Sequence, residues 1–323
     1  MRDYLSKENT SCMKGIFASI IFFVHAMQFH PIPMHPYLNY IIVSLGYLSV
    51  SVFFFLSGYG LEESYKRKDD YLNTFWKHRI LPLYGTYLYV MAIYLLCLLA
   101  LGRRFTAPEL LKSVLLYSTI VNNGWFFFAI IVIYIIFYLT HRFLKGTLSQ
   151  TVGVGIGLLL WCVACVCLHF GYWLWISVFA FLAGILWQHH KSQIDGFVSQ
   201  SNGYIITCLS AGIGFGITWL IGHMYSLPEV VYLAFQMIST IFFVGFVMLL
   251  CMQLPISCRI TSFLGKHSKY IYAMHGLVLN ILSNFLKLEN TVLYLLLAIT
   301  GSLLLAVAVQ KIYDKLISQR KRK

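Results

Sequence analysis

Residues 230–252 read VVYLAFQMISTIFFVGFVMLLCM, 23 consecutive positions without a charge. As a helix this run is roughly 34 Å long, against a bilayer hydrocarbon core of about 30 Å, so it is long enough to cross. The rest of the chain has the same character. Of 323 residues, 24 are Lys or Arg and 11 are Asp or Glu; 59% are hydrophobic and only 11% charged. Soluble domains are about 25% charged, which excludes a water-soluble globule. An aromatic content of 17% excludes disorder. Ten blocks of spanning length are predicted, at 14–30, 40–60, 80–101, 122–140, 150–168, 172–188, 203–223, 230–252, 269–285 and 291–310. Their length favours helices over a barrel, whose strands need only about ten alternating residues. Residues 108–121 (PELLKSVLLYSTIV) are too short and too polar at their start to cross, and are expected to form an interfacial helix. The expected fold is an all-α polytopic membrane protein with about ten transmembrane helices.

Charge sets the orientation. With the N-terminus in the cytoplasm, 20 Lys and Arg fall on cytoplasmic segments and 4 (Arg103, Arg104, Lys112, Lys287) outside. That asymmetry places both termini in the cytoplasm. The net charge of +13 is then a product of topology rather than a nucleic-acid footprint. The tail KLISQRKRK suits contact with anionic membrane lipid.

A single domain, 1–323, is expected, with a helical core over about 13–310 and a basic tail at 311–323. No Gly/Ser- or Pro-rich linker and no internal repeat is apparent. The first apolar run lacks a clear small-x-small site near Ala26, so no cleavage is expected. Six of the eight cysteines lie inside spans, where they read as small apolar packing residues, and neither a disulfide framework nor a metal site is implied. Oligomeric state is not encoded at this level.

All eleven Asp and Glu are assigned to loops or tails, so the spans are expected to hold no carboxylate, which weighs against a proton-coupled carrier. They do hold histidine. Lys14 and His25 are eleven residues apart, about three helical turns, on one face and roughly 16 Å apart along the axis. A cation at the cytoplasmic mouth and a base at depth suit a ligand with an anionic head and a reactive tail. The same residues also fit a topology-setting flank and a helix-packing histidine.

Further motifs narrow the reading. The second span ends Val52-Phe53-Phe54-Phe55-Leu56-Ser57-Gly58-Tyr59-Gly60, and the basic run Lys66-Arg67-Lys68 follows. Then come Phe75-Trp76-Lys77-His78-Arg79-Ile80-Leu81-Pro82-Leu83-Tyr84, Asn123-Gly124-Trp125-Phe126, Leu264-Gly265-Lys266-His267-Ser268 and Tyr270-Ile271-Tyr272-Ala273-Met274-His275. In order and spacing these resemble the integral-membrane acyltransferase family 3, enzymes that O-acetylate bacterial surface and periplasmic glycans. The likeness runs from about residue 13 to 310. Two departures stand out. Lys14 replaces the family's first-helix Arg, keeping the charge but losing the planar fork that grips a phosphate. Trp125 is followed by Phe126-Phe127-Phe128, where many members carry Trp-Ser-Leu and then a Glu.

The resemblance implies an O-acyltransferase in a bacterial cytoplasmic membrane. It would take an acyl group, by default acetyl, from cytoplasmic acyl-CoA and pass it to a saccharide or glycolipid acceptor, with no metal. Lys14, Lys77, Arg79 and Tyr84 are the expected donor-binding residues, because cations at the third helix's N-terminus favour the nucleotide's phosphates. His25 is the expected catalytic residue, as general base or as an acyl-carrying nucleophile; its apolar surround favours the neutral ring. Ser57, Asn123, Trp125 and His275 are expected at the acceptor. For Ser57 with Gly58, small-residue helix packing is an equal alternative, and for Trp125 an interfacial anchor is. The competing classes are a transporter or flippase of a lipid-linked saccharide and a non-catalytic scaffold.

Overall fold

The computed structural model describes residues 3–117, 120–200, 202–224 and 227–322. Residues 2, 118, 119 and 323, which enter the charge count, the expected interfacial helix and the basic tail, lie outside the described residues. Eleven α-helices follow in order: α1 Lys7–Phe29, α2 Pro36–Arg67, α3 Leu81–Ala100, α4 Ala107–Val114, α5 Trp125–Phe143, α6 Thr147–Cys167, α7 Phe179–Val198, α8 Gly203–Ile221, α9 Glu229–Gln253, α10 Arg259–Asn280 and α11 Thr291–Arg322. There is no strand among the described residues. π-helical turns lead into α3 (Trp76–Ile80) and continue α10 (Ile281–Phe285).

Nine helices among the described residues are long and apolar enough to span a bilayer. The tenth expected span is α10, which begins ten residues before the predicted 269 and is more polar than the others. It carries Lys266, His267, Ser268 and Lys269, and thirteen of its residues are buried. Protein rather than lipid covers them, so low hydropathy is tolerated. The chain is a multi-pass membrane protein.

Two compact units emerge, each assembled from separated stretches. The first comprises Met1–Thr10, Tyr47–Leu83 and Ala129–Ile256. Its core is aromatic: Phe75 stacks on Phe137 at 6.0 Å, and Phe137 meets Phe181 edge-on at 6.2 Å. A Cβ on Gly58 of α2 would collide with the Phe181 carbonyl of α7, so this glycine lets two helix backbones touch.

The second unit comprises Ser11–Gly46, Tyr84–Phe128 and Ser257–Lys323. Here α1 and α10 run parallel at a constant offset. Cys12 Sγ lies 3.6 Å from Ser262 Oγ, Gly15 abuts Gly265, and His25 meets His275. Beside the histidines, Phe22 and Ala26 of α1 close a small core with Leu279, Leu282, Tyr294 and Ala298.

The link from α3 to α5 departs from expectation. Where a helix over 108–121 is predicted, the described residues form α4 at Ala107–Val114, started by a capping box in which Thr106 Oγ1 accepts from the Glu109 amide and Glu109 Oε2 accepts from the Thr106 amide. The chain then turns back along α3. Tyr84 Oη donates to the Val114 carbonyl at 2.9 Å, Tyr87 Oη to the Ser113 carbonyl at 2.6 Å, and Ser113 Oγ accepts from the Ile120 amide at 2.9 Å. Tyr84 and Tyr87 lie in the N-terminal half of α3, about 24 and 20 Å from its C-terminal end. Ser113, Leu116, Ile120 and Val121 are buried in the unit, whereas Ala107–Glu109, Leu111, Lys112, Leu115 and Tyr117 keep an exposed face. The Tyr84, Tyr87 and Ser113 hydroxyls satisfy non-helical backbone that lipid could not.

Candidate functional site

His25 and His275 form the centre of the second unit. His25 Nδ1 lies 2.7 Å from His275 Nε2, with the rings within 4° of parallel. His275 is fully buried, whereas His25 keeps partial exposure. The glycine contact about two turns inside the start of each helix makes the pairing possible. With no Cβ at Gly15 or Gly265, the two helices approach closely enough for short imidazoles to bridge them ten residues later.

Asn123 completes the cluster. It sits at the end of the segment between α4 and α5 with φ +60°, a left-handed conformation that Asn adopts more readily than most residues. Its side-chain Nδ2 is 3.1 Å from His25 Nδ1, and its carbonyl accepts from Tyr272 Oη at 3.1 Å.

The proton positions follow from the partners. His275 Nδ1 faces the Ile271 carbonyl at 3.1 Å, and a carbonyl only accepts, so Nδ1 carries hydrogen. In neutral His275, Nε2 is then an acceptor, and His25 Nδ1 must donate to it. Two donors cannot share that one proton site, so Asn123 turns its carboxamide oxygen to His25, a half-turn of the side chain from the orientation above. The result leaves a lone pair on His25 Nε2, which has no partner among the described residues. A base poised in this way can accept a proton from, or attack as a nucleophile, whatever is brought to it.

The other expected residues distribute as follows. Lys14 is half-buried on α1, about 16 Å from His25 along the helix. Tyr84 gives its hydroxyl proton to Val114. The Trp125 ring meets Phe126 edge-on at 6.1 Å. Ser57, Lys77 and Arg79 belong to the first unit. There Ser57 hydrogen-bonds Tyr134, and Lys77 is exposed on the π-helical turn. Arg79 Nε donates to Tyr71 Oη at 2.9 Å and a terminal nitrogen donates to Ser64 Oγ at 3.1 Å. Both partners are neutral, and Arg79 makes no ion pair among the described residues, so its charge is oriented but not neutralised.

An apolar cavity of about 220 Å³ lies between α1, α10 and α11, lined by Ser19, Phe22, Phe23, Ile271, Ile299 and Leu303. Phe22 also meets the His275 ring edge-on at 6.2 Å, so one wall of the cavity is the packing shell of the histidine pair.

One expectation is overturned. The spans were expected to hold no carboxylate, yet Glu62 lies within α2 and is 2% exposed. Its carboxylate accepts from His141 Nε2 at 3.0 Å and from His189 Nε2 at 2.8 Å. Ending the second span at residue 60 left Glu62 in a loop. The signal for a longer helix was local: LEESYKR is rich in helix formers, and Glu63 pairs with Arg67 one turn on.

The pattern of the acyltransferase domain matches residues 10–311. No curated protein and no solved structure matches the chain. That match spans both units and contains every residue of the histidine cluster. The chain belongs to the acyltransferase family 3.

Proposed function

We propose that the protein is an O-acyltransferase of a bacterial cytoplasmic membrane. It moves an acyl group, acetyl by default, from cytoplasmic acyl-CoA to a hydroxyl of a cell-surface or lipid-linked saccharide. The observation that carries this reading is the His275–His25 pair, which leaves His25 Nε2 as an oriented base. Nε2 takes the acceptor's hydroxyl proton as the oxygen attacks the thioester carbonyl. The carbon–sulfur bond then breaks, and the departing CoA thiolate recovers that proton from the imidazolium. General-base assistance supplies about 10²–10⁴-fold, and positioning by the helices supplies the rest.

His275 and Asn123, expected at the acceptor, instead act through His25 by fixing its tautomer. Arg79 and Lys77 would hold the nucleotide's phosphates, the guanidinium through the donors that Tyr71 and Ser64 leave over. The apolar cavity beside Phe22 suits the acyl end of the donor.

Purified protein with acetyl-CoA and candidate glycans tests the reading through CoA release in wild type and His25→Ala. Undiminished turnover in the variant removes His25 from the mechanism. Glu62 between two histidines is one observation that favours a second reading, a carrier of lipid-linked saccharide. Mass spectrometry of the surface polymer separates the two: loss of an acyl ester supports the enzyme, and loss of the whole polymer supports the carrier.

A further inference from the structure

Beyond His275, α10 and its π-helical extension carry a polar stripe at four-residue steps: Tyr272, Gly276, Asn280 and Asn284. The segment between α4 and α5 lies along it. Tyr272 bonds the Asn123 carbonyl, and a Cβ on Gly276 would collide with Asn122. Asn280 Nδ2 is 3.5 Å from Asn122 Oδ1, and Asn284 Nδ2 donates to Asn280 Oδ1 at 2.7 Å. Exposure falls inward, from Asn284, which is exposed, to Asn280, which is 8% exposed. The stripe reaches about 13 Å from His275 toward the outer end of α10.

The stripe has hydrogen-bonding capacity to spare. Asn122 Nδ2 has no partner among the described residues, and the bond its oxygen takes from Asn280 is long. A carboxamide offers both donors and an acceptor, which is what a hydroxyl needs. An anion would call for donors alone and a cation for acceptors alone, and residues 270–286 contain no Asp, Glu, Lys or Arg. Polar side chains inside a membrane protein are costly unless they serve packing or a ligand, and the local switch to a π-helical turn is a recurrent feature of ligand sites.

We infer that this amide stripe is the acceptor track. A neutral, polyhydroxylated acceptor enters at Asn284, is held by Asn280 and Asn122, and presents one hydroxyl to His25 Nε2. The inference rests on the acyltransferase reading and adds the acceptor's charge class and its side of entry.

The test uses the full chain in proteoliposomes, with radiolabelled acetyl-CoA on the face carrying the C-terminal tail. A pool of neutral dextrin oligosaccharides, or of oligogalacturonates, is supplied on the other face. Labelled neutral oligosaccharide is expected and labelled oligogalacturonate is not. Asn280→Asp and Asn284→Asp should each lower transfer at subsaturating acceptor about ten-fold, the loss of one good hydrogen bond. In both variants the KM for the oligosaccharide should rise more than the KM for acetyl-CoA. Asn284 is exposed, so its variant tests the track without threatening the fold. Equal labelling of the two pools, unaltered transfer in both variants, or hydrolysis without transfer to the neutral pool would overturn the track alone. Absence of any acetyl-CoA turnover in wild type would instead sink the acyltransferase reading beneath it.

Discussion

Gly15 of α1 lies against the backbone of Gly265 in α10, ten residues before His25 and His275 on the same two helices. The offset between partners is the same at both levels, as it is for Cys12 and Ser262. Two parallel helices in register therefore convert a close glycine contact into a hydrogen bond between imidazoles about 15 Å further on.

Gly15→Ala should destabilise the protein by about 1–3 kcal/mol, the usual result of forcing a methyl into a filled contact. The neighbour here is helix backbone, which cannot rotate aside. Thermal melting in detergent measures the loss. Because the helices must separate, activity should fall further than folded fraction does, and equal losses would show that the glycine contact does not set the histidine geometry.

His275→Gln retains a side chain that can accept from His25 Nδ1, whereas His275→Phe retains only bulk. The first should preserve part of the activity, and the second should lose nearly all of the 10²–10⁴-fold ascribed to base catalysis. Nitrogen NMR of labelled histidine should show His25 protonated at Nδ1 in wild type and mixed between tautomers in His275→Phe. An Nε2-protonated His25 in wild type would refute the assignment.

Arg79 is held by two neutral oxygen atoms, from Tyr71 and Ser64. Arg79→Lys keeps the charge but cannot make both bonds and a bidentate phosphate contact together. The KM for acetyl-CoA should rise about ten-fold in Arg79→Lys and further in Arg79→Glu, with a smaller change in kcat. An unchanged KM in Arg79→Glu would remove this residue from the donor site.

Glu62→Gln removes the charge that His141 and His189 share. Breaking one member of a buried charged network costs about 3–5 kcal/mol, because the partners are left without an acceptor of matching strength. The variant should unfold at markedly lower temperature than Glu63→Gln, whose site is only partly buried. Similar melting of the two would mean that Glu62 carries little of the packing of α2 against α5 and α7.

Cys258, at the start of α10, is exposed, and its Sγ accepts from Thr261 Oγ1 at 3.4 Å. That bond and the amides beside it lower the thiol pKa below the ordinary value, so the thiolate fraction is appreciable at lower pH than for a free cysteine. A membrane-impermeant maleimide should label Cys258 from the cytoplasmic face only, with a rate that levels off at lower pH than Cys258 in Thr261→Val. Labelling from the outer face would invert the topology.

Much of this architecture was legible in the residues alone. The uncharged run at 230–252 had to be a membrane helix, because nothing else buries so many apolar side chains while satisfying its own backbone. The eleven-residue interval from Lys14 to His25 put cation and base on one helix face. These are local properties, fixed by composition and by the 3.6-residue turn.

What only the tertiary structure decided was which polar groups have partners. Glu62 looked like a loop residue until His141 and His189 enclosed it. The segment after α3 reads as interfacial from its residues, and only the fold shows Tyr84, Tyr87 and Ser113 bonding its backbone. His275 and Asn284 find their hydrogen-bond partners 250 and 4 positions away along the chain. A polar side chain's environment is set by whatever packs against it, and hydropathy along the chain carries no record of that partner.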